Sequence, residues 1–203
     1  MKRFSGVLVV VLCLLISSDV FADEDLYAKN FILSVGFGTF SPRGDISAFE
    51  STQQFTVSGL MLFGNYCGVG IDLGYHSTKL MGGLAGYPTE NDLDTKSLEG
   101  LFYLQPNNLD VQPYIAAGIG GYYNQTKFKW NGATLYDDDG TTYGWVLKGG
   151  LRVFLSDYLM LGVYAKYFSA NQDIKYATCC GSYYTVSSDI GGIIGSLDIG
   201  VRF

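Results

Sequence analysis

The feature that most constrains this chain is a two-residue alternation that recurs in eight segments of about ten residues each. In the last segment, the apolar face holds Ile193, Gly195, Leu197, Ile199, Val201 and Phe203, and the other face holds Ser196, Asp198, Gly200 and Arg202. Successive side chains of a β-strand point to opposite faces, and a tilted strand of about ten residues crosses the hydrocarbon layer of a membrane. The alternation therefore predicts strands with one face suited to lipid and the other suited to the interior of a closed sheet.

The other seven segments follow the same rule, with charged residues on the face opposite the apolar one. Their apolar faces lie at alternate positions within 31–37, 55–63, 69–75, 98–104, 115–123, 143–155 and 159–167. A soluble sandwich or lipocalin-like barrel would need a solvated polar outer face, but here the polar set is too small and too rich in glycine. We therefore predict an all-β fold, an eight-stranded antiparallel up-and-down transmembrane β-barrel.

The links between segments alternate in length. Long links are predicted at about 41–52, 80–94, 125–140 and 171–188, and short links at about 64–67, 105–110 and 155–158. Bacterial barrels have short periplasmic turns and longer extracellular loops. The long links contain clusters of Gly, Asp, Asn and Ser, which are typical of exposed loops.

The first residues have the pattern of a secretory signal peptide. Lys2 and Arg3 form a positive start, an apolar run of about ten residues follows, and Ala22 closes a cleavage motif before Asp23. The run is shorter than the roughly 20 residues of a membrane-spanning helix. We expect a signal peptide at 1–22 and the barrel domain at 23–203.

The chain carries a formal net charge of −6, and it has no basic patch. This balance argues against nucleic acid as a partner.

The interior of an eight-stranded barrel is just filled by side chains, so the alternation also predicts a charge network in the lumen rather than an open porin channel. The charged residues on the inward face are Asp72, Glu99, Lys148, Arg152, Lys166, Asp198 and Arg202. An unpaired buried charge costs several kcal/mol, so these residues are expected to pair as a structural plug. A gated ion path through the same residues is the alternative. Inward glycines, at 36, 38, 70, 74, 118 and 120, are expected to make room for the long side chains.

At this point the chain resembles the superfamily of small outer-membrane β-barrels that includes the OmpA transmembrane domain, OmpX-like proteins and opacity-type surface proteins. The stretches that carry the resemblance are 111–123, 149–167 and 199–203. The resemblance implies a location in the bacterial outer membrane, with the membrane lipid and the assembly machinery as partners. In that superfamily the last strand ends in an aromatic residue that is read during assembly, and Phe203 matches this signal.

His76 is the only histidine and so the obvious candidate for acid–base chemistry. Some eight-stranded barrels are lipid A deacylases or palmitoyl transferases, and the deacylases carry His, one intervening residue, then Ser and Asn. Here Ser77 is adjacent to His76 and Thr78 follows, so the spacing differs. We therefore predict no catalytic residues and a structural role for His76.

No metal or cofactor is expected. Asp137, Asp138 and Asp139 before Gly140 lack the other ligands of a calcium loop, so a solvated loop tip is favoured. Beyond the signal, the cysteines are Cys67, Cys179 and Cys180. Cys67 is predicted at the rim opposite the other two and cannot reach them within one molecule. A vicinal bond, an intermolecular link and free thiols all remain open for the pair.

Aromatic residues fall in two sets. Those at the ends of apolar faces are expected to anchor at the membrane boundary, and they are Tyr75, Tyr123, Tyr143, Trp145 and Tyr167. Those in the long links are candidates for recognition, and they are Trp130, Tyr136, Tyr183 and Tyr184. The leading hypothesis is a non-enzymatic surface protein that supports envelope integrity and adheres to a host or cell-surface ligand through its loops. The alternatives are a narrow pore for small solutes and a lipid-modifying enzyme.

Overall fold

A computed structural model describes residues 30–63, 66–84, 87–106, 109–130, 132–177 and 183–203. Its strands are β1 (Phe31–Pro42), β2 (Thr52–Phe63), β3 (Cys67–Leu84), β4 (Tyr87–Leu104), β5 (Val111–Trp130), β6 (Ala133–Phe154), β7 (Leu159–Ala177), β8 (Tyr183–Asp189) and β9 (Gly192–Arg202). A short 3-10 helix, Gly44–Ile46, lies between β1 and β2. No helix in these described ranges is long and apolar enough to cross a membrane.

The strands form one closed antiparallel sheet. Neighbours from β1 to β7 pair in sequence order, and β9 pairs with both β7 and β1 to close the ring. Strand β8 pairs with β7 and leads through Ile190 and Gly191 into β9, so β8 and β9 together occupy the eighth strand position of the barrel. At one rim Phe31 N–H donates to the Phe203 carbonyl over 3.2 Å, and Phe203 N–H donates back over 2.8 Å. The predicted eight-stranded barrel is confirmed.

The alternation of faces is confirmed as well. In β9, Leu197 is 68% exposed whereas its neighbour Asp198 is 5% exposed. Exposed apolar residues continue around the outside of the barrel at all eight strand positions, and they include Ile71, Ile119 and Trp145. An apolar surface of this extent is unfavourable in water and favourable against lipid.

The short links agree with prediction, but three of the four long links do not. The prediction placed loops at 80–94, 125–140 and 171–188, whereas β3 runs to Leu84, β4 begins at Tyr87, and β5 and β6 continue to Trp130 and from Ala133. The last of these links is largely the β7–β8 hairpin. Above the lipid the outward face carries charged residues such as Lys79, Asp92 and Lys129, so the apolar outward pattern disappears from the sequence although the backbone ladder continues. Only the link at 41–52 is mainly irregular.

Candidate functional site

Two buried ion pairs cross the middle of the lumen. Lys148 Nζ on β6 lies 2.8 Å from Asp72 Oδ2 on β3, and Lys166 Nζ on β7 lies 2.8 Å from Glu99 Oε2 on β4. All four side chains are at most 1% exposed. The Lys148 ammonium also lies 4.1 Å from the centre of the Tyr164 ring. Each pair joins two strands on different sides of the ring, so the pairs fill the interior and link the barrel wall across it.

Below these pairs, towards the rim that holds Phe31 and Phe203, Arg152 is held by neutral groups. Its Nη1 donates a hydrogen bond to Gln105 Oε1, and Gln105 Nε2 donates to Gln112 Oε1 over 3.1 Å. The guanidinium lies 4.0 Å from the Tyr114 ring centre and 5.1 Å from that of Tyr103. Arg152 therefore lies between two aromatic rings and an amide chain, a set of partners that the sequence did not indicate.

The other two predicted lumen charges are placed differently. Asp198 is buried in the same layer, facing the gap at Gly36, but no ion pair joins it to a lysine or arginine in the described ranges. Arg202 lies at the periplasmic rim, partly exposed, with its guanidinium 4.9 Å from the Phe154 ring centre. The two central ion pairs therefore involve four of the seven predicted lumen charges, whereas Arg152 is held by neutral groups and Asp198 forms no ion pair within the described ranges. Their inward positions follow from strand periodicity, whereas pairing depends on height within the barrel.

An aromatic layer closes the lumen above the ion pairs. His76 is buried with its ring centre 4.0 Å from that of Phe40 and 6.2 Å from that of Phe168. Tyr122 stacks on Phe168 at 4.8 Å. Ser77 follows His76 on the strand and faces outward, so the structure does not bring the two together. His76 is a packed member of this aromatic layer, and its structural role stays a prediction.

Glycine is required at several inward positions. A Cβ at Gly120 would lie 2.9 Å from Glu99 Cγ, and a Cβ at Gly118 would lie 1.9 Å from the Gly100 carbonyl oxygen. The first contact shows that glycine leaves space for a charged side chain, as predicted. The second shows close approach of two backbones, which no larger residue permits.

The extracellular mouth is covered by residues 43–50. Glu50 N–H donates to the Lys79 carbonyl over 2.8 Å, and Asp45 Oδ2 accepts from Asp189 N–H over 2.8 Å, so this segment is fastened to both β3 and β8. Beneath it lies a cavity of about 210 Å³ with a mainly apolar lining. The apolar lining residues include Ile46, Phe49, Leu80 and Leu93.

Strands β3 to β6 continue beyond the closed ring as an open four-stranded sheet, here called the extracellular sheet. The β2–β3 ladder ends at the pair Gln54 and His76, and the β6–β7 ladder ends at the pair Gly144 and Ala170. The ladders β3–β4, β4–β5 and β5–β6 continue outward from these levels. The β6 edge at 133–143 has no strand partner on its β7 side among the described residues.

Ion pairs hold the outward face of the extracellular sheet together. Lys79 Nζ lies 2.6 Å from Glu90 Oε1, and Lys129 on β5 pairs with Asp92 on β4. The hydrogen bond to Glu90 and the charge of Asp92 raise the pKa of Lys79. Burial alone would raise the pKa of Asp92, but the hydrogen bond from Lys129 and the charge of Lys79 outweigh burial and lower it.

The aspartates predicted as a loop tip are strand residues instead. Gln125 Nε2 donates to Asp137 Oδ1 over 3.1 Å, and Tyr123 OH donates to Asp139 Oδ2 over 2.9 Å. These cross-strand bonds place the aspartates on the edge strand β6. Within the described part of the chain, no three His, Cys, Asp or Glu residues are grouped as metal ligands.

Some predictions concern parts of the chain outside this description. They are the signal peptide at 1–22, the pair Cys179 and Cys180, and the side chains of Trp130, Tyr136, Tyr183 and Tyr184. Cys67 is a partly buried free thiol at the periplasmic rim, where β3 begins.

A closed barrel with a lipid-facing exterior and a charged, filled lumen defines the class of small outer-membrane barrels. The sequence matches the family "Outer membrane protein beta-barrel domain" over residues 8–179. The chain belongs to this family and is a protein of the bacterial outer membrane. No curated protein matches it in sequence.

Solved structures with similar folds are outer-membrane proteins. OprG from Pseudomonas aeruginosa has a TM-score of 0.68 at 17% identity, covering 87% of this chain and 97% of its own. Neisserial surface protein A has a TM-score of 0.59 at 12% identity, covering 87% and 99%. Ail from Yersinia pestis, solved with the heparin analogue sucrose octasulfate, has a TM-score of 0.51 at 12% identity, covering 85% and 96%. At these identities the likeness concerns the fold alone.

Proposed function

We propose that this protein is a non-enzymatic, non-conducting surface barrel that stabilises the envelope and binds an extracellular partner through its extracellular sheet. The observation that carries the proposal is that the lumen is filled by ion pairs and aromatic rings, whereas β3 to β6 continue beyond the closed ring, and the β6 edge at 133–143 has no strand partner on its β7 side among the described residues. The chemistry available to a partner is therefore outside the barrel.

The filled lumen argues against the pore alternative. A conducting path would have to pass both the layer of Lys148 and Lys166 and the layer of His76 and Phe168. Opening the first layer separates buried charges, which costs several kcal/mol. In planar bilayers we expect no reproducible single-channel steps from the purified wild-type protein. Steps that change in size when Lys148 is replaced by methionine would contradict this part of the proposal.

The β6 edge, which has no strand partner at 133–143 among the described residues, supports a specific mode of binding. An exposed strand edge can pair with an extended peptide through backbone hydrogen bonds, while side chains provide specificity. Residues 137–139 are three consecutive aspartates on this edge, so the fitting partner is an extended, basic segment of a surface or matrix protein. Ail, with a similar fold, was solved with a polyanion, whereas the charge of this edge favours a cation.

A charge-neutralised variant tests the proposal. Replacing Asp137, Asp138 and Asp139 by asparagine should reduce binding of whole cells to a basic peptide surface at least tenfold at low ionic strength. The matched control is Asp110→Asn, an exposed aspartate at the periplasmic rim, which should leave binding unchanged. If the wild type and the triple variant, both folded, bound equally well, the proposal that the β6 edge binds the partner would be wrong.

A further inference from the structure

The outward face of β3 to β5 changes character sharply at the upper end of the lipid-facing belt. On β4 the outward series from the periplasmic side is Leu104, Phe102, Gly100 and Leu98, and Lys96 follows. The cross-strand register places Lys96 between Tyr75 on β3 and Tyr123 on β5. Both tyrosines are exposed, at 43% and 38%. A lysine thus lies between two aromatic rings, one step beyond Leu98 on the outward face of β4.

Lys96 is also electrostatically available. Its Nζ lies 5.8 Å from the centre of the Tyr123 ring, and no carboxylate in the described ranges forms an ion pair with it. Asp94 shares its face one step further out. By contrast, Lys79 and Lys129 are engaged with carboxylates of the extracellular sheet. Among the described outward lysines of β3 to β5, Lys96 therefore lies nearest the belt and forms no ion pair.

The position of Lys96 along the membrane normal indicates which ligand it can bind. The polar layer of a membrane begins at the end of the hydrocarbon region and is roughly 5–7 Å thick on each side, which is about the distance spanned by two residues of a strand. Lys96 is two residues beyond Leu98 on the same face, so its ammonium lies at the depth of lipid headgroups. A lysine acts as a point charge towards phosphate, and flanking tyrosines suit the membrane interface.

We propose that Tyr75, Lys96 and Tyr123 form a binding site for the phosphorylated headgroup of an outer-leaflet lipid. The Lys96 ammonium binds the phosphate, and the two rings cover the headgroup on either side. The site is continuous with the lipid-facing belt, and it borders the β6 edge where Tyr123 OH donates a hydrogen bond to Asp139 Oδ2. Its ligand-binding group is the Lys96 ammonium and not the aspartates of that edge. It therefore does not depend on the proposed recognition function.

Native mass spectrometry of the full chain released from detergent tests the site, with lipid A bearing its phosphates as the probe. Lys96→Gln should weaken lipid A binding about fivefold, the equivalent of ~1 kcal/mol for one lysine at an anionic surface. Lys96→Arg should retain most of it. The matched control is Lys127→Gln, which removes an outward lysine four residues beyond Tyr123, roughly 13 Å further along β5. This control should bind like wild type.

Two further arms identify the ligand. Dephosphorylated lipid A should bind the wild type as weakly as intact lipid A binds Lys96→Gln, and millimolar inorganic phosphate should not displace the lipid. The proposal is overturned if Lys96→Gln and Lys127→Gln weaken binding equally, if neither weakens it, if dephosphorylation has no effect, or if free phosphate competes fully. Each variant is first shown to migrate as a folded, heat-modifiable barrel. A loss of binding then reports on the site.

Discussion

Replacing Lys148 by methionine removes one member of a fully buried ion pair and leaves Asp72 charged in the lumen. At the observed separation of 2.8 Å, the attraction between two unit charges is ~6 kcal/mol at an effective dielectric constant of about 20. The desolvation of both ions opposes this attraction. Breaking such a pair costs about 3–5 kcal/mol because the remaining charge stays buried. We expect a loss of that size in the free energy of unfolding, and a comparable loss for Asp72→Asn.

The double variant separates the pair from its surroundings. When both charges are removed, neither member of the pair is left behind as an uncompensated ion, so Asp72→Asn with Lys148→Met should be less destabilised than either single variant. Urea unfolding in lipid vesicles, followed by tryptophan fluorescence, provides the measurement. Lys127→Met serves as the control for loss of an outward lysine. Single-variant losses below about 1 kcal/mol, or additive losses in the double variant, would refute the assignment of this pair as a brace of the barrel.

Three other outcomes follow from the contacts. Gly118→Ala should prevent formation of the heat-modifiable species on gels, because the new Cβ meets the Gly100 carbonyl oxygen, whereas Gly100→Ala, with no atom within 4 Å of its Cβ, should fold normally. Since the folded-state pKa of Asp92 is lowered, its pair with Lys129 should stabilise the extracellular sheet above the ordinary aspartate pKa of about 3.9 and be lost as the pH falls further. The measurement is backbone amide hydrogen exchange in the outer part of β4, corrected for the intrinsic exchange rate at each pH. The corrected rate should be constant from about pH 7 to 5 and faster at about pH 3. Phe203→Ala should lower the yield of assembled barrel in cells while sparing its refolding in detergent, which quantitative blotting of outer membranes checks.

The transmembrane part of the fold could be predicted because lipid acts on every strand in the same way. Each outward residue must be apolar or small, so the period of two is written directly into the sequence. Outside the lipid this constraint ends. Lys79, Glu90 and Asp92 interrupt the apolar outward face there, and the sequence predicts a loop. The β3–β4 ladder nevertheless continues from Lys79 to Leu84 and from Tyr87 to Asp92, and cross-strand ion pairs join these residues.

The partners within the lumen could be predicted only as a set. Periodicity placed Asp72, Glu99, Lys148 and Lys166 inside, but which lysine meets which carboxylate depends on the stagger of strands three positions apart around the ring. The same limit applies to Arg152, whose partners are neutral. Sequence periodicity carries no information on relative height, so it could not separate the central pairs from a residue at the rim.

The reciprocal backbone hydrogen bonds between Phe31 and Phe203 have a consequence for how the molecule forms. They join strands from opposite ends of the described chain, so β1 keeps an open edge until β9 arrives. Contacts between residues so distant in sequence form slowly. The polypeptide must therefore be kept from aggregating during its passage through the periplasm, and the barrel closes late, when β9 pairs with β1 at the membrane.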